Sequence, residues 1–153
     1  MRRLLGLDVG DKTLGVAVSD ELGITAQGLT VYPRTSAAAD LLFLRQMIDR
    51  YDAGAIIIGL PKNMNGSLGE QAQKTLAFAE RVRTSCAIPV VTWDERLTTR
   101  AAERVLLDAN TSRQRRKAVR DRLAAQLILQ TYLDWLAMHP DTTRAEEDRG
   151  PLR

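Results

Sequence analysis

The sequence predicts an α/β fold in three layers: a mixed five-stranded sheet flanked by helices, with strands one to three antiparallel and the later strands parallel. Two observations carry this prediction. Three short apolar segments near the start are separated only by tight turn signals, which is the spacing of an antiparallel meander. Beyond them, compact apolar runs alternate with stretches whose apolar residues recur every three to four positions, so the later strands are joined by right-handed helical crossovers.

Leu4 to Val9 reads as the first strand, Gly10-Asp11 as a turn, Leu14 to Ser19 as the second strand, and Ala26 to Tyr32, after Gly23, as the third. Ser36 is a natural helix N-cap, followed by Leu41, Leu44, Ile48 and Tyr51 at helical spacing, and Asp52 to Gly54 end that helix. The run Ala55 to Gly59 has the continuous apolar character of a central strand buried on both faces. A polar loop, Pro61 to Gly66, leads into Ser67-Leu68-Gly69-Glu70, a capping-box pattern, with Leu68, Ala72, Leu76, Ala79 and Val82 as the stripe of the next helix. Pro89 to Trp93 is the fifth strand. Thr98 or Thr99 can cap a helix carrying Ala102, Val105, Leu106 and Ala109. After a basic connection, a final amphipathic helix is expected from about Val119 to Met138.

A chain of 153 residues with 44% hydrophobic composition can close one substantial core. One domain is therefore expected over residues 1–138, with 139–153, which contain Pro140, Gly150 and Pro151, as a flexible tail. The 22 Lys and Arg against 19 Asp and Glu give a net charge of +3, a tilt that suits a polyanionic partner without requiring one. Cys86, expected in a helix-to-strand connection, is the single cysteine, which excludes an intrachain disulfide or a thiolate zinc cluster and points to a reducing compartment. Asp8 interrupts the apolar run after Arg2 and Arg3 too early for a signal peptide, and no stretch approaches the roughly 20 apolar residues of a membrane span. A cytoplasmic location with no membrane partner is the expectation.

Strand alternation puts Leu4, Gly6 and Asp8 on one face, so Asp8 ends an otherwise apolar, central strand. Burying an unpaired carboxylate is costly, so Asp8 needs hydrogen-bond donors, a basic neighbour or a metal ion. Turn amides from Asp11 to Thr13 could satisfy it without any ligand. Asp94-Glu95 follows the fifth strand, and period two sends these carboxylates to opposite faces, so one of them belongs to a shared site and the other can pair with Arg96 or Arg100. Asp121 stands in line with Ala124, Ala125, Ile128, Tyr132 and Trp135, at the N-terminal end of the buried stripe of the last helix. The helix dipole alone would favour an acid in a first turn, but the small residues beside Asp121 point to a site facing the sheet.

Such acids converging would make an all-oxygen cluster suited to hard Mg²⁺ or Mn²⁺ rather than zinc, and the single His139 stands apart in the tail. Two ions roughly 3.5 to 4 Å apart can stabilise the attacking and leaving oxygens of an in-line phosphoryl displacement, so phosphodiester hydrolysis is the reaction class. Arg113, Arg115, Arg116, Lys117 and Arg120 concentrate positive charge just before Asp121, in a pattern that positions a nucleic-acid backbone without reading sequence. A charge run is often only a solvated face; one abutting a candidate metal ligand means more. Lys62 and Asn63 lie in the loop Gly59 to Gly66, at the carboxyl end of a buried strand, where open α/β sheets bind ligands. No cluster of exposed rings suggests base stacking, so shape and backbone are the expected determinants of substrate choice.

Four blocks in order then resemble the YqgF/RuvX family, bacterial proteins of the ribonuclease-H-like superfamily described as Holliday junction resolvases and as nucleases maturing the 5′ end of 16S ribosomal RNA. They are Gly6-Leu7-Asp8-Val9-Gly10-Asp11-Lys12 with Gly15-Val16-Ala17-Val18-Ser19-Asp20, Gly59-Leu60-Pro61-Lys62-Asn63-Met64-Asn65-Gly66-Ser67, Asp94-Glu95-Arg96-Leu97-Thr98-Thr99, and Asp121 with Ala124-Ala125 and Ile128-Leu129-Gln130. The resemblance covers nearly the whole chain through Trp135 and implies a ribonuclease-H-like fold with a catalytic, metal-binding set of Asp8, Glu95 and Asp121. It selects Glu95 over Asp94, which stays as an accessory group. Lys12, Lys62, Asn63 and Arg96, with the basic run, are the candidate nucleic-acid contacts. Thr13, Asn65 and Gly28 depart from the family's usual arginine, aspartate and proline, and none removes a proposed ligand.

The implied partner is nucleic acid, pre-ribosomal RNA or branched DNA, on ribosome precursors or free, with the chain a monomer or homodimer. Asp8-Val9-Gly10 followed by Gly15-Val16 also resembles the first phosphate loop of actin-like ATPases and sugar kinases, which clamp a nucleotide between two such domains and need more than twice this length. The remaining alternatives are a junction-resolving DNA endonuclease, for which symmetrical cutting calls for a dimer, and a non-catalytic nucleic-acid-binding factor in which the acids are structural.

Overall fold

A computed structural model describes residues 2–95 and 113–140, with the backbone alone for 113–121. Its sheet comprises β1 (Arg3–Val9), β2 (Thr13–Ser19), β3 (Ala26–Pro33), β4 (Ala53–Leu60) and β5 (Val90–Asp94), and its helices are α1 (Ala37–Tyr51), α2 (Glu70–Cys86) and α3 (Arg113–Met138). The strand order is β3-β2-β1-β4-β5. β1 and β2, and β2 and β3, pair antiparallel; β4 runs parallel to β1 and β5 parallel to β4. This is the mixed sheet expected, with β1 at its centre.

Local signals account for most element ends. Ser36 caps α1, its hydroxyl accepting from the Ala39 amide at 3.1 Å. At the other end Asp52 turns left-handed, φ 50°, and its N–H returns to the Ile48 carbonyl. The chain enters β4 at once, at Ala53 rather than Ala55, because the parallel ladder with β1 extends down to Arg3.

Three expectations are corrected. The capping box at Ser67 does not form: α2 starts at Glu70 behind Gly69, Ser67 is spent on Asn65 and Asn63, and Leu68 lies exposed outside the helix. A loop that can bond within itself outcompetes the cap. Cys86 is the last residue of α2 rather than part of a connection, and burial pushes its thiol up, as befits an inert cysteine. The basic stretch from Arg113 is no connection but the opening of α3, which places Asp121 more than two turns inside the helix. The dipole argument for an acid in the first turn therefore does not apply to it. The helix expected around Ala102 to Ala109 and the tail from residue 141 lie outside the described residues.

The sheet buries its two faces differently. Leu5, Leu7, Val9, Leu14, Val16, Val18, Ile56 and Ile58 meet Leu44 of α1 and Phe78, Ala79 and Val82 of α2. On the opposite face Leu4, Ala17, Ala26 and Ile57 meet Ala125, Ile128, Leu129, Tyr132, Leu133 and Leu136 of α3. Glycines let α3 lie close: a Cβ on Gly6 would stand 2.7 Å from the Leu129 Cβ and 3.0 Å from the Ala125 carbonyl, and one on Gly28 2.6 Å from the Arg122 Cγ.

Candidate active site

The carboxyl ends of the parallel strands β1, β4 and β5 open on one edge of the sheet, and two of the predicted acids, Asp8 and Glu95, meet there. Asp8 is the penultimate residue of β1 and Glu95 follows β5 directly. Trp93 packs against the α3 cluster, so alternation carries Glu95 to that same face, with Gly6 and Asp8, and sends Asp94 to the other. The Asp8 and Glu95 carboxyl groups are hydrogen-bonded to each other, both half-buried. Burial pushes the Glu95 carboxyl above the usual carboxylate range, and the bond to Asp8 only partly opposes it. Two half-buried carboxyls in mutual contact must share a proton or a cation, because two bare charges there would repel.

The third acid is approached from α3. Ala125 and Leu129 sit over Gly6, Arg122 over Gly28, and Gln130 accepts from the Ala26 amide at 2.8 Å. Ala26 pairs with Ser19, whose hydroxyl accepts from the Leu4 amide at 2.8 Å, while Gly28 and Gly6 are both partners of Ala17. Numbers in α3 therefore fall as those in β1 rise, and the helical turn before Ala125, which contains Asp121, lies toward the Asp8 end of the strand. The side chains of Arg113, Arg115, Arg116, Lys117, Arg120 and Asp121, and Arg96 altogether, lie outside the described residues. Among the described residues no group of three His, Cys, Asp or Glu side chains is gathered. Asp8 and Glu95 form a pair.

Oxygen donors from two carboxyl groups in contact, with burial opposing the ionisation of Glu95, fit a hard divalent cation. Lys12 is exposed on the turn after β1, and Lys62 and Asn63 follow β4 between the two acid-bearing strands. Asn63 also braces its own loop, donating to the Ser67 hydroxyl at 3.0 Å. His139 lies at the far end of α3, stacked on Trp135 and away from this edge.

A supporting group had no sequence signal. Arg34 donates to the Gly10 carbonyl at 2.7 Å and to Asp40 at 3.0 Å, Asp40 being only 2% exposed, and the Arg34 amide reaches the Lys12 carbonyl at 2.8 Å. Gln71 of α2 donates to the Val9 carbonyl at 3.2 Å. These bonds hold the turn that follows Asp8. Periodicity reads Asp40 as an ordinary first-turn acid, and burial is invisible to it. Gly6 and Gly59 mark the close approach of α3 to the sheet: a Cβ on either would meet Leu129 or Ile128 of that helix.

A central strand ending in a carboxylate, joined by another from a parallel strand and crossed on that face by a long helix, is the ribonuclease-H-like arrangement, and this chain has that fold. It is similar to the solved structure titled "T. thermophilus RuvC in complex with Holliday junction substrate", with a TM-score of 0.55 at 16% identity, covering 84% of this chain and 92% of that one. A fowlpox virus resolvase in complex with Holliday junction DNA gives a TM-score of 0.52 at 12% identity, over 88% of this chain and 98% of that one. Residues 2–135 match the family model RuvX, described as Holliday junction resolvase, and the chain belongs to that family. A relative from Thermoanaerobacter pseudethanolicus is 56% identical over 133 residues, 86% of this chain and 96% of its own length. One from Moorella thermoacetica is 54% identical over 137 residues, 90% of this chain and 98% of its own. Both carry the name "Putative pre-16S rRNA nuclease".

Proposed function

We propose that the chain is a divalent-metal-dependent nuclease that hydrolyses phosphodiester bonds of structured nucleic acid, with 5′-end maturation of pre-16S ribosomal RNA as its task. The single observation that carries the reading is the Asp8–Glu95 carboxyl pair at the carboxyl edge of three parallel strands. The names of the relatives supply the RNA.

Asp8, Glu95 and Asp121 would hold Mg²⁺ or Mn²⁺, two ions in the fullest case. Bound there, such ions supply Lewis acidity at the phosphate and hydroxide near neutral pH. In the reaction a water oxygen adds to phosphorus as one P–O ester bond breaks, leaving a phosphate monoester and a hydroxyl. Asp8 and Glu95 act by presenting fixed oxygens, and the latched turn after Asp8 keeps the first of them from swinging away. Lys12, Lys62 and Asn63 flank the pair, and the basic opening of α3, with Arg113, Arg115, Arg116, Lys117 and Arg120, contributes charge for the backbone beyond it. Arg96 adds to that surface and Asp94 is an accessory acid. Residues 1–138 form the working domain. A cytoplasmic protein fits this task, and among the described residues no helix is long and apolar enough to cross a membrane.

The test is cleavage of labelled precursor rRNA, single-stranded RNA and four-way DNA junctions with Mg²⁺, Mn²⁺ or chelator. Chelator, Asp8→Asn, Glu95→Gln and Asp121→Asn should each lower RNA cutting by at least about 10²- to 10³-fold while binding persists. Undiminished cutting by a folded Asp8→Asn chain would sink the proposal. The family description favours a second reading, a resolvase acting as a dimer. Paired incisions in junctions, with RNA left intact, would select it.

A further inference from the structure

Among the described residues Met64 is the most exposed of the large apolar side chains, at 87%. Large apolar groups on a surface are ordinary when scattered, so exposure alone means little. Position and presentation distinguish this one.

Met64 stands at the corner of a turn in the loop that leaves β4, and β4 lies between β1, which carries Asp8, and β5, which leads to Glu95. Neighbouring strands are about 4.8 Å apart, so the loop leaves the sheet one strand spacing from each acid-bearing strand. The loop is also built rather than slack. The Gly66 amide donates to the Asn63 carbonyl at 2.8 Å and the Asn63 amide to the Ser67 carbonyl at 3.0 Å. Asn65 accepts from the Ser67 amide at 3.0 Å and from its hydroxyl at 2.6 Å, and Asn63 donates to that hydroxyl at 3.0 Å. Gly66, at φ 84°, takes the left-handed position that closes the turn. A small tongue results, in which the Asn63, Gly66 and Ser67 amides and the Ser67 hydroxyl bond inward, while Met64 at its corner is exposed and Leu68 follows where the loop returns to α2. No acid occurs from Pro61 to Gly69, and Lys62 is at its base, so the tongue does not repel a phosphate backbone.

We infer that this tongue is a base-contacting wedge: Met64 packs against an unpaired or end-of-helix nucleobase next to the bond being cut, while Lys62 meets the adjoining phosphate. Apolar side chains, Met among them, insert at base steps and hold open a distorted backbone, and a polarisable thioether suits the face of a base. The inference rests on the nuclease reading and adds what that reading lacks, a means of choosing a place where pairing stops. A tongue of this kind favours ends, loops and branches over continuous duplex.

The experiment uses the full chain in chelator, so that nothing is cut. Its probe is an RNA hairpin with a single-stranded 5′ extension, carrying 2-aminopurine at the first unpaired position, compared with a blunt duplex of equal length. The wild-type chain should raise the fluorescence as the analogue unstacks from its neighbours. Met64→Ala should lose most of that rise and bind the extended hairpin roughly five- to tenfold more weakly, with duplex affinity and melting temperature unchanged, while Met64→Leu restores both. Lys62→Ala should weaken both RNAs and flatten the salt dependence. Equal fluorescence and affinity for Met64→Ala and wild type overturns the wedge while leaving the nuclease reading intact. A wild-type chain that binds neither RNA removes both, and Met64→Ala weakening the duplex as much as the hairpin shows a general contact and overturns the wedge.

Discussion

The two faces of the sheet solve packing in opposite ways. Toward α1 and α2, β1 and β4 offer Leu5, Leu7, Ile56 and Ile58, all without exposed surface, and the helices stand off on a thick layer of branched side chains. Toward α3 the same strands offer Gly6, Gly59 and Ile57, and the helix comes down nearly onto the backbone. The first face provides bulk stability. The second trades apolar area for proximity, and the helical turn before Ala125 runs toward the Asp8 end of β1.

That contrast can be broken by size changes of opposite sign. Ile58→Ala empties a site with no solvent exposure and should cost about 2 to 5 kcal/mol, read by denaturant unfolding, while folded protein keeps its cleavage rate. A rate that falls with stability would show the two faces to be coupled. Gly6→Ala should cost less, about 1 to 3 kcal/mol, because its new methyl meets the backbone carbonyl of Ala125 as well as Leu129, but here the cleavage rate should fall as well as the stability. Gly59→Ala is the milder companion, since its methyl meets the end of the flexible Ile128 side chain, which can turn away. If Gly6→Ala cleaves at the wild-type rate, the close seat of α3 is a packing device only.

The smallest effect sharpens the electrostatic side. Glu95 binds its proton more tightly in the folded chain than unfolded, so the sign is destabilising for its ionisation. In chelator, stability should be highest below the usual value of 4.5, fall as pH rises through 4.5 toward the raised folded value, and level off beyond it. Melting curves from about pH 4 to 8 should show that fall in wild type and its loss in Glu95→Gln. Added Mg²⁺ or Mn²⁺ should recover the stability at the upper end. A wild-type chain as flat as Glu95→Gln would mean that the carboxyl pair carries no strain.

The elements were legible to within a few residues wherever chemistry is local. Ser36 announces α1, the uninterrupted Ala55 to Gly59 run announces a central strand, and Asp8 stands out because a carboxylate closing an apolar strand has to be accounted for. Choosing Glu95 over Asp94 from residues alone was beyond a period-two argument, which says that they part but not which face is which. Trp93 settles it by packing on α3. The capping box failed because Ser67 found partners nearer than the helix start. The start of α3 was missed because Arg and Lys, good helix formers, read as a charged linker when no apolar partner is in view.

By itself, then, the order of residues determined the alternation of strands and helices, the central place of β1 and the acid that ends it, since turn chemistry and side-chain period act over a few positions and need no distant partner. Only the tertiary structure decided that Glu95 meets Asp8, that Arg34, held by Asp40, braces the turn after Asp8 and that α3 lies on glycine. Each of these joins segments dozens of residues apart, and their energies depend on burial, a property of the folded whole and not of any window along the chain.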